Sequence, residues 1–138
     1  ASCALGPFVR VLDDGFGLDA VRGLDIALRI DGADGYVLRG SSSLREISRD
    51  VLDLVAATYG AHHQYPDGFV LFTGTLFAPT EDRHAPGAGF THEYGDVVRI
   101  SSPRLGALVN TVVPSEEAAP WTFGVGALMR SLARRGLL

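Results

Sequence analysis

The chain has 138 residues, enough for one domain with a buried core. Its formal net charge of −4 and pI near 5.4 argue against a nucleic-acid-binding surface, which needs a basic patch to displace counterions. Lysine is absent and all 12 basic side chains are Arg, so no residue here can form a Schiff base. The single cysteine, Cys3, excludes an internal disulfide and suits a reducing compartment. No apolar run approaches the roughly 18–20 residues that span a bilayer, and no signal sequence opens the chain. The expectation is a cytoplasmic protein. The first residue is Ala1, and residues 1–7 read like the middle of a polypeptide, so a processed or truncated product is expected.

In chain order, residues 8–12 form a short β-prone run closed by the turn signal Asp13-Asp14-Gly15. Leu24, Ile26, Leu28 and Ile30 then alternate with Asp25, Ala27, Arg29 and Asp31, the period-2 pattern of a strand with one buried face. Turn residues at 31–35 and a returning run at 36–39 predict a β-hairpin over residues 23–40. Ser41, Ser42 and Ser43 read as loop. A helix follows, with Asp50 as N-cap and Asp53 in its first turn, where negative charge suits the dipole. Val51, Leu54, Val55, Thr58 and Tyr59 share one face. Ser43 with Glu46 is an alternative capping box one turn earlier.

Residues 69–73 are an unbroken apolar run, as in a strand buried on both faces, and lead into Thr73-Gly74-Thr75. The long polar connection 78–95 is read either as a lid, with Arg83 meeting an anionic substrate, or as a surface loop or subunit contact. Strands are expected at 96–101 and 105–113, joined tightly through Ser102, Pro103 and Arg104. Pro120 is placed at the first position of a final helix. Trp121, Val125, Leu128, Met129 and Leu132 form its apolar stripe, as core or subunit interface. Arg130, Arg134 and Arg135 sit toward its C-terminal end and Gly136 just beyond. The fold class is α+β: a mixed, mostly antiparallel sheet with two helices packed on it.

Thr73-Gly74-Thr75 is open to two readings from the residues alone. A glycine at a strand end lets a ligand approach the backbone, or it simply avoids a clash. His62 and His63 are adjacent and make a poor chelating pair. With His84 and His92 they are read as loop residues. Cys3 is read as a small apolar side chain, and Asp13-Asp14 as a turn.

Three motifs, in order, resemble the C-terminal half of the fumarylacetoacetate hydrolase superfamily. They are Gly74-Thr75, then Gly95-Asp96-Val97-Val98, then Leu105-Gly106-Ala107-Leu108-Val109-Asn110. The helix at 51–59 with Pro66-Asp67-Gly68, and the opening Leu5-Gly6-Pro7, also fall in family order. The tail from Pro120 to Leu138 resembles the longer bacterial branch that includes 2-oxo-3-deoxy-sugar-acid dehydratases. The resemblance implies that residues 1–138 are the C-terminal part of a catalytic domain whose Thr75, with Gly74, receives the oxygens of a 2-oxo acid. It implies a homodimer and a Mg²⁺ or Mn²⁺ cofactor held by a Glu-x-Glu pair and a later Asp. This chain has no Glu-x-Glu, and Glu116-Glu117 are adjacent and far downstream. The metal-binding portion is therefore expected on a preceding segment of the same protein, and this chain alone is expected to be inactive. The leading activity is dehydration of a 2-oxo-3-deoxy sugar acid. The alternatives are C–C bond hydrolysis of a fumarylacetoacetate-like β-diketo acid, and a non-catalytic assembly domain.

Overall fold

A computed structural model of the chain describes residues 5–74 and 77–138. Four strands, β1 (Asp25–Asp31), β2 (Val37–Ser43), β3 (Val97–Ser102) and β4 (Gly106–Thr111), form one sheet in the order β2-β1-β3-β4. The class is α+β. Every pairing is antiparallel, so the sheet is not mixed. Among the described residues no helix is long and apolar enough to cross a membrane.

The alternation in β1 does what its period requires. Ile26, Leu28 and Ile30 share one face with Leu38 of β2, Val98 and Ile100 of β3 and Leu108 of β4. Ile30 and Leu38 stand directly opposite one another and are 0% and 1% exposed, the centre of the core. Leu24 and Phe16 are also buried, and the guanidinium groups of Arg10 and Arg104 lie over the Phe16 ring. The turn at Asp13 is as expected: Asp13 and Phe16 exchange backbone hydrogen bonds, and the Asp13 carboxylate accepts from the Gly15 amide.

Gly40 lies opposite Leu28 on the core face, and the Phe77 ring rests where a Cβ would be. Gly40→Ala is therefore expected to push that ring off the sheet and to cost about 1–3 kcal/mol, the usual penalty of overpacking. Urea denaturation of the variant, at unchanged slope, measures it.

Helix α1 (Leu18–Arg22) has no counterpart among the sequence expectations. Helix α2 (Val51–Thr58) starts where its cap predicts, with the Asp50 carboxylate accepting from the Leu52 amide at 2.9 Å. The same carboxylate takes a two-pronged contact from Arg22, at 2.6 and 3.1 Å, which ties α2 to α1. Ser43 caps a separate 3₁₀ turn over Leu44–Glu46 rather than α2. Helix α3 (Val125–Arg134) ends at Gly136, whose φ of +66° permits the left-handed closure in which the Leu137 amide reaches the Leu132 carbonyl.

Five expectations are corrected. Ser41, Ser42 and Ser43 are not loop but continue β2, because β1 reaches back to Asp25 and offers them a partner. Residues 8–12 are not a strand, and Phe8 is 89% exposed. The run 69–73 is not a buried strand either: it joins no ladder, and Phe72 is 68% exposed. A continuous apolar run carries no period of its own, so its state depends on a partner that none of the four strands supplies. The last helix begins after Gly124, not at Pro120, with residues 118–124 outside any helix. Finally, neither α2 nor α3 buries a residue, so the expected packing of two helices on the sheet is not what holds this fold.

Candidate functional site

Gly74 adopts φ +85°, a left-handed conformation that other residues resist, so its place in the chain is conformational as well as spatial. Among the described residues, apart from its chain neighbours, no atom lies within 4 Å of where its Cβ would be. Thr75 lies outside the described residues. Just before Gly74, Leu71, Phe72 and Thr73 face Leu54, Ala57 and Thr58 of α2 across a shallow groove of about 200 Å³. The Thr58 hydroxyl is turned back onto the Leu54 carbonyl at 2.9 Å, leaving the helix wall of the groove largely apolar.

A hydrogen-bonded polar constellation joins the connection 78–95 to the β1–β2 turn and the start of β3. Arg83 and Asp96 are each 1% exposed and meet as a fork-to-fork pair, with Nη1 donating to Oδ2 at 2.6 Å and Nη2 to Oδ1 at 2.8 Å. Asp96 also accepts from the Glu93 amide at 3.0 Å, and His92 Nδ1 is 3.4 Å away. Arg83 reaches Asp34 in the β1–β2 turn at 3.2 Å and lies over the Tyr36 ring at 4.7 Å. The Tyr36 hydroxyl donates to Glu81 at 2.5 Å, and His84 Nε2 lies 2.7 Å from Glu93. Asp82 accepts from the Gly87 and Gly89 amides, closing the loop on itself. Gly95, at φ +90°, turns the chain into β3 and gives its amide to the Val112 carbonyl.

Of the two readings of the connection, lid or surface loop, this geometry bears on the part given to Arg83. The two terminal nitrogens of Arg83 are held by Asp96 and Asp34, its Nε is buried without a partner among the described residues, and the group has no exposed edge for a substrate. It pins the loop to the hairpin instead. The sequence holds little trace of this pairing, because the partners are 13 residues apart with no periodic pattern between them.

The hydrogen bonds from Arg83 hold the Asp96 carboxyl down at about 2. Its burial opposes that pull, and the Glu93 amide and His92 assist it. Because the folded value lies below the unfolded one, the pair's stabilisation is complete above about pH 4. It is lost as the pH falls through about 2. Denaturant titrations at pH 6 and 2.5 are expected to show that loss, and Asp96→Asn to abolish the part of the acid dependence that Asp96 causes. Burial, reinforced by Glu81, raises the Tyr36 phenol to about 12, so it remains a hydrogen-bond donor at any physiological pH.

Among the described residues, no three His, Cys, Asp or Glu side chains converge to hold a metal ion. His62 and His63 sit in a turn closed by the Gly60–His63 bridge, while His84 and His92 face Glu93 and Asp96 separately. No protein-family model matches the chain, and no curated protein or solved structure matches it.

Proposed function

We propose that this chain is the C-terminal part of a fumarylacetoacetate hydrolase-type enzyme acting on a 2-oxo acid in the cytoplasm, and that its reaction is dehydration of a 2-oxo-3-deoxy sugar acid. The observation that carries the reading is the way the motif residues are used. Gly74 takes a left-handed turn beside an apolar groove; Gly95-Asp96 forms a turn and a buried anchor at the start of β3; residues 105–110 close tightly onto β3 as β4.

A second observation supports the expectation of a partner. The chain exposes 10634 Å², whereas a compact monomer of 14.6 kDa exposes about 6900 Å². The excess on this one chain, about 3700 Å², is larger than the roughly 1000–2500 Å² that one partner contributes to an obligate interface. Phe8, Val70, Phe72, Trp121 and Val125 are among the exposed apolar side chains. In this reading they are covered by the metal-binding portion of the same protein and by a second copy.

The residues described here do not fit a Mg²⁺ or Mn²⁺ ion, so the reading assigns the ion to Glu-x-Glu carboxylates outside this chain. What this chain contributes is one wall of the pocket, the Gly74 turn with Thr75, held in place by the loop pinned through Arg83 and Asp96. Calorimetry tests the division of labour. The chain alone is expected to show no turnover and no tight Mg²⁺ site. One stoichiometric Mg²⁺ per isolated chain contradicts it.

A further inference from the structure

The register of the sheet aligns three arginines on the face opposite the core. Arg29 of β1 stands directly across from Arg39 of β2 and from Arg99 of β3. Like charges directly opposite one another weaken a sheet, and strands about 4.8 Å apart put the outer two roughly 10 Å from each other. Arg29 is neutralised by Asp31, at 2.7 and 2.5 Å. Arg39 and Arg99 are exposed and make no hydrogen bond or ion pair among the described residues; Arg39 has only a through-space attraction to Asp31. The other carboxylate of this face, Asp25, is engaged by Arg45 at 3.3 Å. Two unpaired guanidinium groups thus sit on one face of a chain whose net charge is −4.

The neighbouring cross-strand row is small: Ser41, Ala27, Ser101 and Ala107. Short side chains beside long ones leave a recess, an open groove of about 590 Å³ with Arg99 on its wall and both serines in its lining. Neither serine hydroxyl has a partner among the described residues. We propose that this groove binds a small dianion carrying carboxylate or phosphate groups. Arg99 on the groove wall binds one charged end, Ser41 and Ser101 donate hydrogen bonds within the groove, and Arg39, beyond its lining on the same face, meets the other end. The planar guanidinium fork matches both anion types in a two-pronged way. A bound dianion also removes the repulsion along the arginine row, which gives that otherwise unfavourable alignment a purpose. The proposal does not depend on the enzyme reading.

The test is titration calorimetry of the natively isolated protein at low salt, with sodium succinate and inorganic phosphate as probes and acetate as control. One saturable site per chain is expected for at least one dianion, weakened at least tenfold by Arg99→Gln and by Arg39→Gln. Arg134→Gln on α3 and Thr75→Val are expected to leave it unchanged, and circular dichroism verifies that the variants fold. Succinate binding alone identifies a dicarboxylate site, phosphate binding alone a phosphate site, and binding of both a general dianion site. Binding of neither, or binding that survives both Arg39→Gln and Arg99→Gln, overturns the proposal, and loss of the site in Thr75→Val alone also overturns it.

Discussion

Replacing Asp96 by alanine is expected to destabilise the protein by about 3–5 kcal/mol, the cost of leaving one member of a buried ion pair without its partner. Asp96 is 1% exposed, and so is the Arg83 guanidinium that would be stranded beside it. The loss would spread beyond the pair. Asp96 fixes the Glu93 amide, its own carbonyl receives the Val112 amide next to β4, and Arg83 carries the tie to Asp34 in the hairpin turn. Against a typical total of about 5–15 kcal/mol, the change would bring the fold close to collapse. The exposed pair Arg45–Asp25 is the internal control: Asp25→Asn is expected to be nearly silent, because solvent screens it. Urea midpoints of the two variants decide the matter. An Asp96→Ala protein as stable as the parent would mean that the loop is not anchored through this pair.

On the proposed enzyme reading, Thr75→Val is expected to lower turnover of the complete protein by about 10²–10³-fold, the usual cost of removing one donor to a developing oxyanion. The substitution keeps the side chain's shape and deletes its hydroxyl, so the fold should be retained. A rate loss with an unchanged urea midpoint separates a lost contact from lost structure. The left-handed Gly74 beside it makes a second prediction of the same sign. Gly74→Ala places a Cβ at φ +85° and strains the turn whatever space surrounds it. Unchanged turnover in Thr75→Val would remove Thr75 from the pocket and leave the turn as a purely local device.

How much of this was legible in the sequence depended on whether the signal was local. The alternation from Leu24 to Ile30 specified β1 and its core face, because a period of two survives any tertiary context. Asp50 marked the start of α2, since its carboxylate acts on an amide only two residues away. The turn at Ser102, Pro103 and Arg104 fixed β3 against β4 for the same reason. Non-local features were hidden. Nothing near residues 69–73 says whether a partner strand exists, so an apolar run read as a buried strand is instead exposed. Pro120 offered a plausible helix start, but the chain remains non-helical until Gly124. Helix α1 was missed, although Asp19 and Arg22, three residues apart at opposite ends of a five-residue helix, carry a weak signal for it. The pair Arg83–Asp96 and the arginine row of the sheet both required the register, which no single stretch contains. Of the site residues inferred from the sequence, Gly74 has the conformation that a special backbone position requires, and Thr75 lies outside the described residues.

The enzyme reading is tested most directly by following a 2-oxo-3-deoxy sugar acid by NMR with the complete protein, in the presence and absence of Mg²⁺. The account predicts Mg²⁺-dependent dehydration that chelation abolishes, that Thr75→Val suppresses and that the isolated chain lacks. Failure of the complete, metal-loaded protein to dehydrate that acid would contradict it.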